Sequence, residues 1–348
     1  MLFAGAARED HTGNNILDES LDFSYTVLMK PENSPKTLQE ALNFFSDPDR
    51  ALAYFVARRW PDGVVCPACG RQDAPFLANQ RKWQCKSVHP KRQFSAKVGT
   101  IMEDSALPLE KWLAAIWLLS NCRNGISSHE LARHLGITQK SAWFMLHRIR
   151  FAMQSKGGGK LGGRVEVDET FIGGKARNMH ANKRRAMEAL PSGERKTIVL
   201  GMLERGGHVR TTVIPNREAI TLQPIIHEHV RRGAKVMTDE HAGYNGLEDA
   251  FMRGVVNHAI EYVNGSVHTN GMENFWSLFK RGVNGTYVTV EPFHLFRYLD
   301  EQAFRYNTRK VGERRLNDGE RFNAVLSQVS GRRLTYEKLT GKEGETAF

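Results

Sequence analysis

An acidic side chain inside an apolar strand is the feature that most restricts this chain. The stretch Arg164–Gly174 reads Arg-Val-Glu-Val-Asp-Glu-Thr-Phe-Ile-Gly-Gly and follows a glycine-rich hinge at residues 157–163. Val165, Val167 and the Phe171-Ile172 pair have the β-branched and aromatic bias of a buried strand. Asp168 falls inside that run, where a carboxylate is costly unless something cationic holds it. Alone, Asp168 also suits the end of a strand before a turn at Gly173-Gly174. Two further acids change the weighing. The short strand Ala234–Asp239 also ends in Asp, and Glu273 opens an amphipathic segment. Two strand-borne Asp and one helix-borne Glu form an all-oxygen set suited to two hard cations.

The pattern around these acids is α/β. Thr197–Leu203 and Val209–Ile214 pair across Arg205-Gly206-Gly207 as a hairpin. Thr221 starts a helix with Leu222, Ile225, Ile226 and Val230 on one face. His227 and His229 are two apart, point to different sides and form no ligand pair. Strand Ala234–Thr238 then delivers Asp239. Three strands, a helix and a fourth strand, with acids on the first and fourth, match the order of a ribonuclease H-like core. Further on, Met272, Phe275, Trp276 and Phe279 keep helical spacing and make a core face, while Glu273, Ser277 and Lys280 line up on another. Glu273 also suits a first helical turn by dipole alone, and Lys280 an ordinary surface. Pro292–Arg309 reads as a helix with Phe296, Leu299, Ala303 and Tyr306 inward and Arg297, Arg305 and Arg309 outward.

Upstream, Cys66-Pro-Ala-Cys69-Gly is followed by Cys85-Lys-Ser-Val-His89. A Cys-x2-Cys knuckle with a third thiol some 15 residues on is zinc-ribbon spacing, with His89 as the fourth ligand. Cys122 reads as an ordinary buried thiol. Leu109–Leu119 is a strongly apolar helix. From Gly125 to Arg150, Ser127 or Ser128 caps one helix, Gly136 makes a turn and Thr138 caps the next. Ala142, Leu146 and Ile149 form the buried stripe of that second helix, leaving Gln139, Lys140, His147 and Arg148 outward. The pattern is that of a helix-turn-helix or a plain helical hairpin, and the basic outer face favours DNA. A basic insert carries Lys175, Arg184 and Arg185, which suits a solvated loop or a grip on phosphates.

The net charge of +11 favours polyanionic partners. No apolar run approaches the roughly 20 residues of a membrane-spanning helix, and the opening Met-Leu-Phe-Ala-Gly-Ala-Ala is too short for a signal peptide. Clustered cysteines point to a metal and a reducing compartment, hence the cytoplasm. The expected plan is a disordered or non-native extension over 1–36, which leaves Met29 as an alternative start to Met1. A helical lead-in and zinc ribbon follow over 37–100, a helix-turn-helix region over 101–156, the hinge over 157–163, a catalytic domain over 164–310 and a tail over 311–348.

Three blocks carry a resemblance: Val-Asp168-Glu-Thr-Phe-Ile-Gly-Gly-Lys175, Thr-Asp239-Glu-His-Ala-Gly-Tyr244, and His268-Thr-Asn-Gly-Met-Glu273 with Lys280. From about Thr37 to the C-terminal region the chain resembles bacterial insertion-sequence transposases of the DDE type, in the group with an N-terminal zinc ribbon. The resemblance implies an α/β fold with a ribonuclease H-like core, a small zinc ribbon and a helix-turn-helix domain. It implies Asp168, Asp239 and Glu273 as ligands of two Mg²⁺ (or Mn²⁺) ions, with Lys280 assisting at the DNA. It further implies one structural Zn²⁺ on Cys66, Cys69, Cys85 and His89, and DNA contacts from Gln139, Lys140, Arg148, Lys175, Arg184, Arg185 and Arg281. The partners would be double-stranded DNA, as terminal inverted repeats and target, and further copies of the chain on that DNA, with no membrane. Many DDE transposases precede the Glu with a Tyr and an Arg, where this chain has Ser266 and Thr269. Two rivals share these residues: a nuclease that cuts without joining, and an inactive DNA-binding protein.

Overall fold

The computed structural model describes residues 34–155, 159–173, 181–188, 196–256 and 268–341. The expected N-terminal extension falls almost wholly outside the described residues, as does Lys175. The chain divides into two compact units, one containing Ala53–Ala96 and the other Ser34–Leu52 with the chain from Lys97 on.

Helices Leu38–Phe45 (α1) and Pro48–Arg59 (α2) lead in. In the smaller unit, Phe76–Leu77 (β1), Lys82–Gln84 (β2) and Gln93–Phe94 (β3) form an antiparallel sheet in the order β1-β2-β3. Strands this short bury little, so large rings supply the core. Buried Trp83 stacks on Phe94 at 6.0 Å and meets Phe76 at 4.9 Å and Trp60 at 5.7 Å.

The larger unit begins with the apolar helix Leu109–Asn121 (α3). Ser128–Leu135 (α4) follows, capped by Ser127 through the Glu130 N–H at 3.1 Å. Gly136 ends it with φ 58°, a left-handed turn. Gln139–Met153 (α5) starts from the Thr138 cap. Next comes a five-stranded mixed sheet. Its strands are Arg164–Ile172 (β4), Thr197–Glu204 (β5), Val209–Ile214 (β6), Lys235–Thr238 (β7) and Met252–Val255 (β8), with helix Ala181–Glu188 (α6) between β4 and β5 and helix Ala219–His229 (α7) between β6 and β7. The order is β6-β5-β4-β7-β8, antiparallel on the β6 side of β4 and parallel on the β8 side. This sheet fits a ribonuclease H-like transposase core, with β4 central.

Alternation along the strands sends successive side chains to opposite faces. Val165, Val167, Leu200 and Met202 meet Leu222 and Ile226 of α7 on one face. Val199, Leu203 and Val209 lie on the other. That second face is covered by helix Asn270–Gly282 (α8), through Met272, Phe275, Trp276 and Phe279, and by helix Leu295–Asn307 (α9), through Leu295, Tyr298, Leu299 and Tyr306. A two-stranded hairpin, Lys310–Val311 (β9) and Arg314–Arg315 (β10), precedes helix Asp318–Leu326 (α10). Phe322 of α10 packs on Trp117 of α3 at 5.1 Å and on Phe45 of α1 at 5.5 Å. No helix among the described residues is long and apolar enough to cross a membrane.

Four side chains expected outward are not. His147 and Arg148 are buried on α5, and Arg297 and most of Arg305 are buried on α9. Both helices are covered on more than one side, so a single apolar stripe underestimates what they bury. Arg148 lies over Trp112 and Phe144, donates to the Glu103 carbonyl, and has its pKa pushed down to about 10 by burial. Arg297 lies over Phe151 and Phe296 and pairs with Asp300 at 3.3 Å. Arg305 binds Glu301, which also takes Arg150 at 2.7 Å and the Tyr287 hydroxyl.

The Arg150–Glu301 pair therefore joins α5 to α9 with both side chains out of water. A buried pair adds little over apolar packing, but removing one member strands the other charge. Glu301→Gln should cost about 3–5 kcal/mol by leaving Arg150 and Arg305 uncompensated. The pairing of Glu301→Leu with Arg150→Met should cost less than Glu301→Gln alone, as read from denaturant unfolding.

Candidate active site

Asp168 and Glu166 are two residues apart on β4 and share the face covered by α8. Asp168 sits opposite Gly201 of β5. A side chain at 201 would collide with Met272 and Trp276, so this glycine lets α8 lie close over the acids. The Trp276 indole N–H donates to Asp168 Oδ2 at 3.1 Å. Trp276 thus has a second role that its place in the apolar stripe did not signal.

Asp239 follows the end of β7, the parallel neighbour of β4, and its Oδ1 accepts the His241 backbone N–H at 3.0 Å. Glu273 lies in the first turn of α8, exposed, on one face with exposed Ser277 and Lys280. The fold brings Asp239 and Glu273 within electrostatic reach of Asp168. Asp168 is pushed up to about 7, first by burial and then by the carboxyls of Glu169, Asp239 and Glu273. Glu169 is a fourth acid that the sequence did not single out. It points to the α7 side, is pushed up by burial, and keeps Oε1 buried without a hydrogen-bond partner. The buried Tyr244 hydroxyl lies against it and is pushed well above its ordinary range by burial and by that carboxyl.

Carboxylates gathered without a compensating cation repel one another. The donors are oxygen throughout, the ligand chemistry that Mg²⁺ and Mn²⁺ take. His241 adds a neighbour of fixed orientation. Its Nδ1 accepts the Gly243 N–H at 3.1 Å, which leaves the ring proton on Nε2. Burial and Arg217 lower its pKa.

The other expected site residues are spread more widely. Gln139 is exposed and donates to Ser128 Oγ at 2.8 Å, and exposed Lys140 sits over the Tyr336 ring. Arg184 and Arg185 are exposed on α6, and Arg281 is exposed on α8. Burial removes Arg148 from any outer face.

In the smaller unit, Cys66, Cys69, Cys85 and His89 bring one ligand atom each to within 4.8 Å of one another. Two backbone loops aim them: Cys66 N–H donates to the Arg71 carbonyl at 2.8 Å, and Cys85 N–H to that of Arg92 at 2.8 Å. Cys69 and Cys85 sulfurs are 3.5 Å apart. Tetrahedral zinc with bonds near 2.3 Å sets thiolates about 3.8 Å apart, whereas a disulfide needs about 2.05 Å. The cluster fits structural zinc. The Arg71 backbone N–H draws the Cys69 thiol down to about 6, whereas burial raises that of Cys66.

Two measurements follow from these sites. Purified protein should carry one zinc per chain, and Cys66→Ser should lose it. In metal-free protein, Asp168 is protonated in the folded chain at pH values where the unfolded chain has released the proton. Its contribution therefore falls as pH rises from about 4 through 7. Asp168→Asn should remove that slope and be more stable than wild type at pH 8 by roughly 1–2 kcal/mol, measured by thermal melting in chelator.

Residues 160–307 match the ISXO2-like transposase domain family, and residues 46–87 match the transposase zinc-ribbon domain family. One relative, an uncharacterized protein in transposable element ISH50 of Halobacterium salinarum, is 31% identical over 248 residues, spanning 67% of this chain and 82% of that protein. Another, an uncharacterized transposase-like protein of Haemophilus influenzae, is 35% identical over 107 residues, 30% of this chain and 84% of that protein.

Proposed function

The chain belongs to the insertion-sequence transposases that combine a zinc ribbon with an ISXO2-like transposase domain, and from that membership we propose that it cleaves the ends of an insertion sequence and joins the 3′-OH ends to target DNA. The observation that supports this reading is Asp168 buried on the central strand, its pKa raised first by burial and then by the carboxyls of Glu169, Asp239 and Glu273. Asp168, Asp239 and Glu273 would hold two Mg²⁺ (or Mn²⁺) ions, which supply Lewis-acid activation of the attacking oxygen and stabilisation of the leaving 3′ oxygen. The chain's own part is positioning. Trp276 occupies one oxygen of Asp168 and so orients the carboxylate, leaving Oδ1 for a cation. The His241 backbone does the same for Asp239. Lys280, two turns beyond Glu273 on the same exposed face, pairs with a DNA phosphate.

No covalent bond between enzyme and DNA is required. Water opens the phosphodiester, a 3′-OH is released, and that hydroxyl attacks a target phosphodiester, with one bond formed for each broken. DNA is held by the outer ends of α4 and α5, with Gln139 and Lys140 toward the element's ends, and by Arg184, Arg185, Arg281 and Lys175. The active species is a homo-oligomer on DNA in the cytoplasm. The zinc ribbon gives a further contact surface whose fold depends on Zn²⁺.

Asp239→Asn and Glu273→Gln should each abolish Mg²⁺-dependent cleavage of a labelled element end and its joining to target, while binding of that end persists. Lys280→Ala should weaken cleavage without changing metal dependence, since lysine offers no ligand. Cleavage without strand-transfer products would reduce the reading to a nuclease, and wild-type cleavage by Glu273→Gln would place the third ligand elsewhere.

A further inference from the structure

Helix α8 carries Glu273 in its first turn but has no cap of its own. Thr269 stands at the N-cap with φ −115° and ψ 18°, and its side chain accepts no backbone N–H. The missing acceptor comes from 106 residues upstream: the Met272 N–H donates to Glu166 Oε2 at 3.0 Å. Glu166 is 1% exposed. Its other oxygen takes Arg205 Nε at 2.7 Å, and Arg205 Nη2 donates to the His268 carbonyl at 2.7 Å and to His268 Nδ1 at 2.9 Å. A guanidinium only donates, so His268 Nδ1 is an acceptor here and the ring proton sits on Nε2. The 3.5 Å approach of His268 Nδ1 to Glu166 is therefore contact across a shared Arg205, not an ion pair. Gly271 completes the fit, because a side chain there would sit 2.7 Å from Glu166 Oε2.

Met272 is the third residue of α8 and Glu273 the fourth. Glu273 is also where the helix's own bonding begins, with its N–H on the Thr269 carbonyl at 3.0 Å. Whatever holds the Met272 amide thus fixes the register and height of Glu273 over β4. We propose that Glu166, held by Arg205, is the positioning residue for Glu273: a carboxylate borrowed from β4 that caps α8 and sets the third metal-binding acid against Asp168 on the same strand. The inference rests on the transposase reading of the three acids. Glu166 itself takes no cation, since one oxygen is committed to Met272 and the other to Arg205.

The test is a double-mutant cycle on the full chain with Glu166→Gln and Arg205→Lys. Gln keeps the shape but turns an N–H toward Arg205 or Met272, and Lys keeps the charge but cannot reach Glu166 and His268 together. Three quantities are read: Mn²⁺ affinity by titration without DNA, hydrogen–deuterium exchange across residues 270–275 in metal-free protein, and the Mg²⁺ dependence of end cleavage. Each single variant should weaken Mn²⁺ binding about tenfold or more. Each should also speed exchange of the Met272 amide and raise half-saturating Mg²⁺, with cleavage at saturating metal reduced far less. The double variant should be no worse than the weaker single one, because both break one device. Unchanged Mn²⁺ affinity in a cooperatively melting Glu166→Gln overturns the proposal, as does loss in Glu166→Gln with none in Arg205→Lys, which would make Glu166 a ligand. If Glu166→Gln does not melt cooperatively, Arg205→Lys and the shorter Glu166→Asp decide by the same readouts. A wild type that cleaves no end DNA in Mg²⁺ removes the transposase reading and this inference with it. A cleaving wild type beside variants of identical metal dependence removes the inference alone.

Discussion

Strand β4 must lie at the centre of the sheet and still present acids, and the rest of the larger unit answers that demand. Its odd-numbered residues, Val165 and Val167, are buried without difficulty under α7. Its even-numbered residues, Glu166 and Asp168, face α8, where burial opposes ionisation. The two acids are resolved differently. Glu166 receives the Arg205 guanidinium and the Met272 N–H at a helix N-terminus. Asp168 receives a neutral indole N–H and three more carboxyls, and its pKa rises. One carboxylate is held from two sides by donors; the other meets a single neutral donor among further carboxyls. That contrast, two residues apart, separates structure from chemistry on this strand.

The overall charge and the local charge then have opposite signs. A chain with net charge +11 is drawn to DNA as a whole, yet the acids beneath α8 would repel a phosphate at short range. On the proposed reading, bound cations would reverse the local sign and so admit the phosphate as well as supply the chemistry. The exposed face of α8, with Lys280 and Arg281 two turns from Glu273, grades one field into the other over a single helix.

The elements of the core were legible because each is periodic and short-range. The β5–β6 hairpin follows from Arg205-Gly206-Gly207 between two apolar runs, and α8 from the spacing of Met272, Phe275, Trp276 and Phe279. The convergence of three thiols and His89 could also be read, since knuckle spacing is local. What could not be read were charges neutralised from far along the chain. Arg150 and Glu301 are 151 residues apart, and Glu166 and Met272 are 106 apart. Each member alone looks like an ordinary surface charge or a polar break in a strand. Arg148, Arg297 and Arg305 look outward for the same reason. A one-stripe helix is assumed, whereas α5 and α9 are packed on several sides and bury guanidinium groups over aromatic rings.

Two glycines explain how α8 comes so close to the central strand. A helix normally rides about 10 Å above a sheet on the side chains between them. Opposite Asp168 the sheet has no side chain, because Gly201 stands there, and at the helix start Gly271 removes a second one. The two glycines bring backbone and indole into hydrogen-bonding range of β4, so that Trp276 reaches Asp168 and the Met272 amide reaches Glu166. These bonds act at two levels of the helix, one at its first turn and one a turn further on. Two fixed points on one rigid rod determine both its height and its rotation about its own axis. Glu273 lies between them on the helix. On the proposed reading, the placing of the third acid would thus be stored in a pair of glycines and in Glu166, which need not touch a cation.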